Sequence, residues 1–316
     1  MSDSAASAAP VRRRRGVRGG GRFAPYVFLA PFIILFLVFL IAPIFIAIYK
    51  SFFTVERSGL GFGGSNDSVF VGLDNYVTAL QNSEFINSFG RVLLFAVIQV
   101  PTMLLLAIVL ALLFDSMVVR LKRFFQLAAF VPYAVPSVVA ALIWGFLYQP
   151  KVSPIISLME AVGFDVQFLT PDTVMWSMIN IVIWSVTGVN MIIIFSSLQS
   201  VSRDIYEAAR IDGAGEIRTA LSIKLPMVMP SIILTTVFSI IGTLQLFNEP
   251  MVLRSVTSNV SSSYSPNMAI YQTTTLGGDP NLGSAMAIIL GFVTFLLSIT
   301  VAILSNRSGK KGATRS

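Results

Sequence analysis

Residues 25–49 read PYVFLAPFIILFLVFLIAPIFIAIY, 25 positions without a charge. A bilayer core about 30 Å thick is crossed by roughly 20 mostly apolar residues in a helix, so this run can span it. The run is also far longer than the apolar core of a cleaved secretory leader, about 7–15 residues, and no small-residue cleavage site follows. It therefore reads as a retained span. Five further runs meet the same test: 88–114, 124–148, 174–198, 225–248 and 284–305. Six such helices specify an all-α membrane protein. The expected organisation is one transmembrane domain over 25–306, a disordered basic tail at 1–24 and a second tail at 307–316.

The composition agrees with that reading. Charged residues make up 12% of the 316, against about a quarter in a soluble domain, and mean hydropathy is +0.79. No piece between spans is long enough to bury a core of its own. The chain contains no Cys and no His, which excludes a disulfide framework, a thiolate nucleophile, an imidazole base and the usual zinc site. Paired carboxylates inside the spans are also missing, which disfavours a membrane-embedded enzyme.

The net charge of +7 resolves into two sides. With the N-terminus inside, the pieces 1–24, 115–123, 199–224 and 306–316 hold 17 of 22 basic residues and six of 15 acids, a balance of +11. The remaining five bases and nine acids give −4. This is the positive-inside pattern, and it places both termini in the cytoplasm. The run Arg12-Arg13-Arg14-Arg15 could bind nucleic acid. Ten residues before a span, it reads instead as a topology anchor touching anionic lipid, and no nucleic-acid partner is expected. On the other side, Gly59, Gly61, Gly63, Gly64, Ser65 and Asn66 mark a flexible loop before a short amphipathic helix near 74–81.

Polar and helix-breaking residues inside spans are costly and usually face the bundle interior or a water-filled path. The third span begins Val131-Pro132-Tyr133-Ala134-Val135-Pro136-Ser137. Its two prolines remove backbone donors and open the helix. The fourth span carries Trp184, Ser185, Thr187, Gly188 and Asn190, and the fifth carries Thr243, Gln245 and Asn248 before Glu249-Pro250. Hydroxyls and glycine can simply pack helices closely, and amides can bond them together. Alternatively Tyr133, Ser137, Ser185, Thr187, Asn190, Gln245 and Asn248 line a path for a neutral polyhydroxyl solute, to which amides offer donors and acceptors together. Glu249 is expected at the outer interface. Without a clear mid-span acid, a carrier driven by an ion gradient is disfavoured.

The 199–224 loop is long for a membrane protein. Ser202 suits an N-cap with Asp204 in the first turn. A short helix then sets Ile205, Ala208, Ala209 and Asp212 along one side. Gly213 and Gly215 permit a bend, and a second helical stretch leads to Leu225-Pro226.

Glu207-Ala208-Ala209, three residues, Gly213, nine residues, Ile223, one residue and Leu225-Pro226 resemble the EAA loop of ABC importer permeases. Its place between spans four and five is also similar. Within that family the chain resembles the maltose-type group of sugar permeases. The proline-containing segment 131–137, Gly72-Leu73-Asp74-Asn75-Tyr76 and Gln199 carry that likeness. The resemblance implies a coupling helix in which Glu207 pairs with a basic residue of an ATPase. Ala208 and Ala209 would form the docking face, Gly213 the turn, and Asp212 would belong to the same element. It further implies a bacterial inner-membrane importer of a sugar or oligosaccharide, with a second homologous permease, two ATP-binding subunits and an extracellular solute-binding protein as partners. No Gly-x-x-x-x-Gly-Lys-Ser/Thr loop is present, so ATP and Mg belong on the partners and no cofactor is expected on this chain. A carrier working alone, or an ABC permease for a glycerophosphodiester, are the alternatives. One departure stands out. Arg254 occupies the place where the group often opens a Thr-x-Gly-Gly-Pro stretch.

Overall fold

The computed structural model describes residues 24–57, 66–116 and 120–313. The tail with its four arginines and the glycines at 59–64 lie outside the described residues. Two compact units divide the chain, Met1–Tyr49 and Lys50–Ser316. In the first, α1 (Ala24–Phe36) passes through a π-turn at Leu37–Ile41 into α2 (Ala42–Ser51). The turn precedes Pro43 and closes with the Ala42 amide donating to the Leu37 carbonyl. A proline cannot donate to the carbonyl one turn back and crowds it, and widening the helix by one residue is a known accommodation.

The second unit opens with an antiparallel ribbon absent from the sequence-based expectation. Strand β1 (Phe53–Arg57) pairs with β2 (Asn66–Phe70), Phe53 opposite Phe70 with their rings edge-on at 5.4 Å. The all-α expectation holds for the spans but not for this segment, which it treated as loop. Helix α3 (Asp74–Gln81) follows where the amphipathic helix is expected. Asn75 gives the Gly-Leu-Asp-Asn-Tyr segment a physical role. Its Nδ2 donates to the carbonyls of Ser51 and Phe53 at 2.9 and 2.8 Å, and Tyr76 Oη bonds Ser51 Oγ at 2.7 Å.

Among the described residues five helices are long and apolar enough to cross a membrane, or six spans if one bent pair counts as a single crossing. The long helices of the second unit are α4 (Ser83–Asp115), α8 (Val174–Gln199), α12 (Met229–Leu244) and α15 (Pro280–Ala313). The last continues past the expected end at 305. The bent pair is α5 (Lys122–Ala134) and α6 (Ser137–Leu147), which meet at 97°, so the run 124–148 is not one straight helix. Val135 precedes Pro136 and is forced out of the helical region, at φ −79° and ψ 125°.

The core lies along α4 and α8. Met103, Ala107, Ala111 and Phe114, three or four residues apart, form one stripe against Met191, Ile194 and Leu198. Gln99 and Thr243, both buried, join α4 to α12 with Thr243 Oγ1 2.8 Å from Gln99 Oε1. Arg91 is no free charge within α4. Its Nε and Nη2 donate to the Tyr264 and Ser263 carbonyls at 3.0 and 2.6 Å, while Ser263 Oγ donates to Glu84 at 2.7 Å. Shorter helices fill the connections: α7 (Pro154–Ala161), α9 (Arg203–Ile211), α10 (Glu216–Thr219), α11 (Leu225–Met227), α13 (Asn248–Leu253) and α14 (Pro266–Tyr271).

Helices α5 and α8 approach so closely that a Cβ built on Gly188 would sit 1.9 Å from the Ala129 carbonyl oxygen. Only glycine fits there. Gly188→Val is expected to lower the thermal unfolding midpoint of the purified protein, at a cost of about 1–3 kcal/mol or more for overpacking. Gly291→Ala in α15, where a Cβ meets nothing within 4 Å, serves as the neutral control. Equal midpoints for the two variants would contradict the contact.

Candidate functional site

The bend between α5 and α6 forms one wall of a cavity of about 390 Å³. Tyr133, Ala134, Val135, Pro136 and Ser137 line it from the elbow, Val182, Ser185 and Val186 from α8, and Glu249 from α13. Asn248 reaches the same place, its Nδ2 donating to Ser137 Oγ at 2.8 Å. Helix α13 exists because the fifth span breaks at 245–247, where Phe247 adopts φ −145° and ψ −52°. After that break Asn248 and Glu249 stand in the first turn of α13, and both reach the elbow.

The structure therefore brings together Tyr133, Ser137, Ser185 and Asn248. It does not bring in the other three expected pathway residues. Thr187 and Asn190 are 8% and 7% exposed, packed within the helix bundle. Their side chains bond carbonyls one turn back on α8, Thr187 Oγ1 to Ile183 at 2.6 Å and Asn190 Nδ2 to Val186 at 2.9 Å. Gln245 is exposed at the break and lies outside the cavity lining. For Thr187 and Asn190 these bonds and this burial match the helix-packing alternative. Trp184 packs edge-on against Trp144 at 5.9 Å. Glu249 is the residue the sequence reading missed. It lines the cavity, so the site holds a carboxyl group beside hydroxyls and an aromatic ring. The signal available was the Phe247-Asn248-Glu249-Pro250 run, in which a proline lets a new helix begin.

The second element is the 199–226 loop. Ser202 caps α9 as expected, its Oγ accepting from the Asp204 amide at 3.3 Å. At the other end Gly213 takes φ +76°. The Ala214 amide donates to the Ala209 carbonyl at 2.9 Å and the Gly213 amide to the Arg210 carbonyl at 3.0 Å. This pair of bonds is the Schellman stop, which needs a residue tolerant of the left-handed conformation. Glu207, Ala208 and Asp212 are exposed, whereas Ala209 is 6% exposed and packs against its own chain. The exposed face thus includes Glu207 and Ala208 with Ile211 at 86% exposure, while Ala209, which the resemblance assigns to the docking face, is turned into the chain.

Beneath α9 lies a cleft of about 620 Å³. On its wall Asp115 pairs with Lys224, and Gln199 Nε2 donates to Asp115 Oδ1 at 2.7 Å. Lys224 Nζ sits 4.9 Å from the centroid of the Tyr206 ring. Burial, and secondarily the Asp115 charge, push the Tyr206 phenol above its ordinary pKa. Among the described residues no group of three His, Cys, Asp or Glu is placed to hold a metal ion.

Comparison with known proteins places these features in a family setting. The model of the family described as "Binding-protein-dependent transport system inner membrane component" matches residues 103–311. The sn-glycerol-3-phosphate transport system permease protein UgpA of Shigella flexneri is 30% identical over 281 residues, covering 88% of this chain and 92% of that one. The arabinooligosaccharides transport system permease protein AraP of Bacillus subtilis (strain 168) is 31% identical over 289 residues, with coverage of 89% and 88%. In structure, a chain of a bacterial ABC transporter involved in the import of the acidic polysaccharide alginate superposes with TM-score 0.76 at 23% identity, covering 90% of this chain and 96% of that one. That likeness concerns the fold.

Proposed function

The chain belongs to the family of binding-protein-dependent transport system inner membrane components, and on that premise we propose that it is one permease of an ATP-driven importer for a neutral sugar or oligosaccharide. Membership makes it a multi-pass inner-membrane subunit of an ABC importer, a transport component and not itself an enzyme. In the proposed assembly it pairs with a second homologous permease, two ATP-binding subunits and an extracellular solute-binding protein, in contact with membrane lipid. ATP and Mg reside on the ATP-binding subunits. Both termini are cytoplasmic, as the +11 and −4 charge balance favours.

The observation that carries this reading is α9. It is a short helix stopped at both ends by its own capping, with Glu207, Ala208 and Ile211 open to a partner. Exposed small and apolar residues beside one carboxylate suit a groove with a basic group in it. Closure of the ATP-binding subunits would draw α9 inward and rock the spans from inward-open to outward-open. Solute released by the binding protein then enters a path that includes the elbow cavity. Ser137, Ser185 and Asn248 offer hydroxyl and amide partners there, and Tyr133 offers a face for an apolar sugar surface.

Two relatives transport charged or neutral solutes according to their names, glycerol 3-phosphate for one and arabinooligosaccharides for the other. Glu249 favours the neutral class. It is the sole acidic or basic side chain in the described lining, so no Lys or Arg stands there to pair with a phosphate or uronate, while a carboxyl can hydrogen-bond hydroxyls. The glycerophosphodiester alternative is weaker for that reason.

In the complete complex, Glu207→Lys should reduce binding-protein-stimulated ATP hydrolysis and solute uptake together by at least about tenfold, since a like charge at a docking pair is worth more than 1.4 kcal/mol. Stimulation equal to wild type would remove the docking role. For the cavity, Tyr133→Ala and Asn248→Ala should each lower uptake several-fold, on the order of 1 kcal/mol per lost contact, with assembly of the complex unchanged. Normal uptake kinetics in both variants would show that the solute does not pass the elbow.

A further inference from the structure

We propose that Asp115 and Lys224 are positioning residues that tie α9 to the membrane helices, so that displacement of the docking helix is passed on to the spans. The inference rests on the importer reading above.

Asp115 is the last residue of α4. A carboxylate at a helix C-terminus faces the negative end of the macrodipole, so it is not there to stabilise α4. Its side chain is nonetheless 8% exposed, and that of Lys224 15%. A pair this buried returns little net stability but fixes geometry, because either charge alone would be stranded. The remaining partners define what is fixed. Gln199, the last residue of α8, donates to the second Asp115 oxygen at 2.7 Å. Lys224 closes the π-turn Ala220–Lys224 that leads through Leu225-Pro226 into α12. Its ammonium also lies over the ring of Tyr206, the residue before Glu207 on α9. The ends of the second, fourth and fifth spans and the docking helix therefore meet at one polar cluster on the cleft wall.

The cleft gives this cluster its mechanical meaning. Glu207, Arg210 and Glu216 stand on the cleft wall with Asp115 and Lys224, so open space separates much of the loop from the helix ends. Force applied at Glu207 reaches the spans through the covalent ends of the loop and through this polar cluster. Removing the cluster leaves the docking face intact but weakens the coupling, leaving α9 joined to the spans by the loop's covalent ends and the packing of Ala209. Glu207 and Ala208 set whether the ATP-binding subunit is gripped; Asp115 and Lys224 set whether the grip moves anything.

The test uses the complete complex in lipid nanodiscs and needs no knowledge of the solute. The chain has no native cysteine, so Leu80→Cys and Trp176→Cys, both more than half exposed, can carry spin labels on the side opposite the loop. The probe is Mg with the non-hydrolysable nucleotide AMP-PNP, and the readout is the change in label separation. In a parallel sample Ile211→Cys is cross-linked to the ATP-binding subunit. Lys224→Met and Asp115→Asn should each cut the nucleotide-induced shift in population by at least tenfold, with the cross-link at wild-type yield. The exchange Asp115→Lys with Lys224→Asp should restore at least half of the shift, and it decides the matter if either single variant fails to assemble. A wild-type shift in the single variants, or an exchange no better than they are, overturns the proposal. Glu207→Lys separates this from the underlying reading. If that variant keeps both the cross-link and the shift, the docking role itself fails.

Discussion

Hydrocarbon offers no hydrogen bonds, so every backbone group within a span must find its partner in protein. The described structure is organised by the places where this constraint is relaxed. Pro43 and Pro226 are each preceded by a π-turn that shifts the bonding by one residue, at Leu37–Ile41 and Ala220–Lys224. Pro136 forces a full break between α5 and α6, and 245–247 breaks the fifth span. The last two breaks converge, and the cavity lies where they meet. An interruption covered by protein can be turned into a polar recess without exposing bare peptide groups to lipid.

Charge follows the same economy. The bundle interior is built from apolar stripes such as Met103, Ala107 and Ala111, and the few charges near it have specific partners. Arg91 is spent on two carbonyls, and Asp115 on Lys224 and Gln199. Glu249 differs, since it forms no ion pair within the described residues and instead faces the cavity. A charge without a charged partner beside an opening is where solute selection can act.

Much of this was legible in the sequence. The six apolar runs, the elbow at two prolines, the helix near 74–81 and the Ser202-to-Gly213 extent of α9 all follow from local chemistry: span length, missing amides, a capping hydroxyl and a left-handed glycine. The losses have a common cause, because facing is a tertiary property. Thr187 and Asn190 look like pathway residues by composition, yet each can satisfy itself on the carbonyl one turn back and pack inward. Ala208 and Ala209 are chemically alike, and only the placement of α9 against its own chain buries the second. Glu249 looked interfacial because its run ends a hydrophobic stretch, and its place in the cavity lining is set by tertiary neighbours on the elbow and α8. The ribbon at 53–70 has its two halves separated by a glycine-rich gap, so no local turn signal announced it.

The central claim is that α9 is the surface on which an ATP-binding subunit sits. It is tested most directly by the reactivity of Ala208→Cys toward a membrane-impermeant maleimide in inside-out vesicles, with and without the ATP-binding subunits. Rapid labelling of the permease alone and strong protection in the complex are expected. Equal labelling in both samples, or labelling that occurs only from the opposite side of the membrane, would contradict the account.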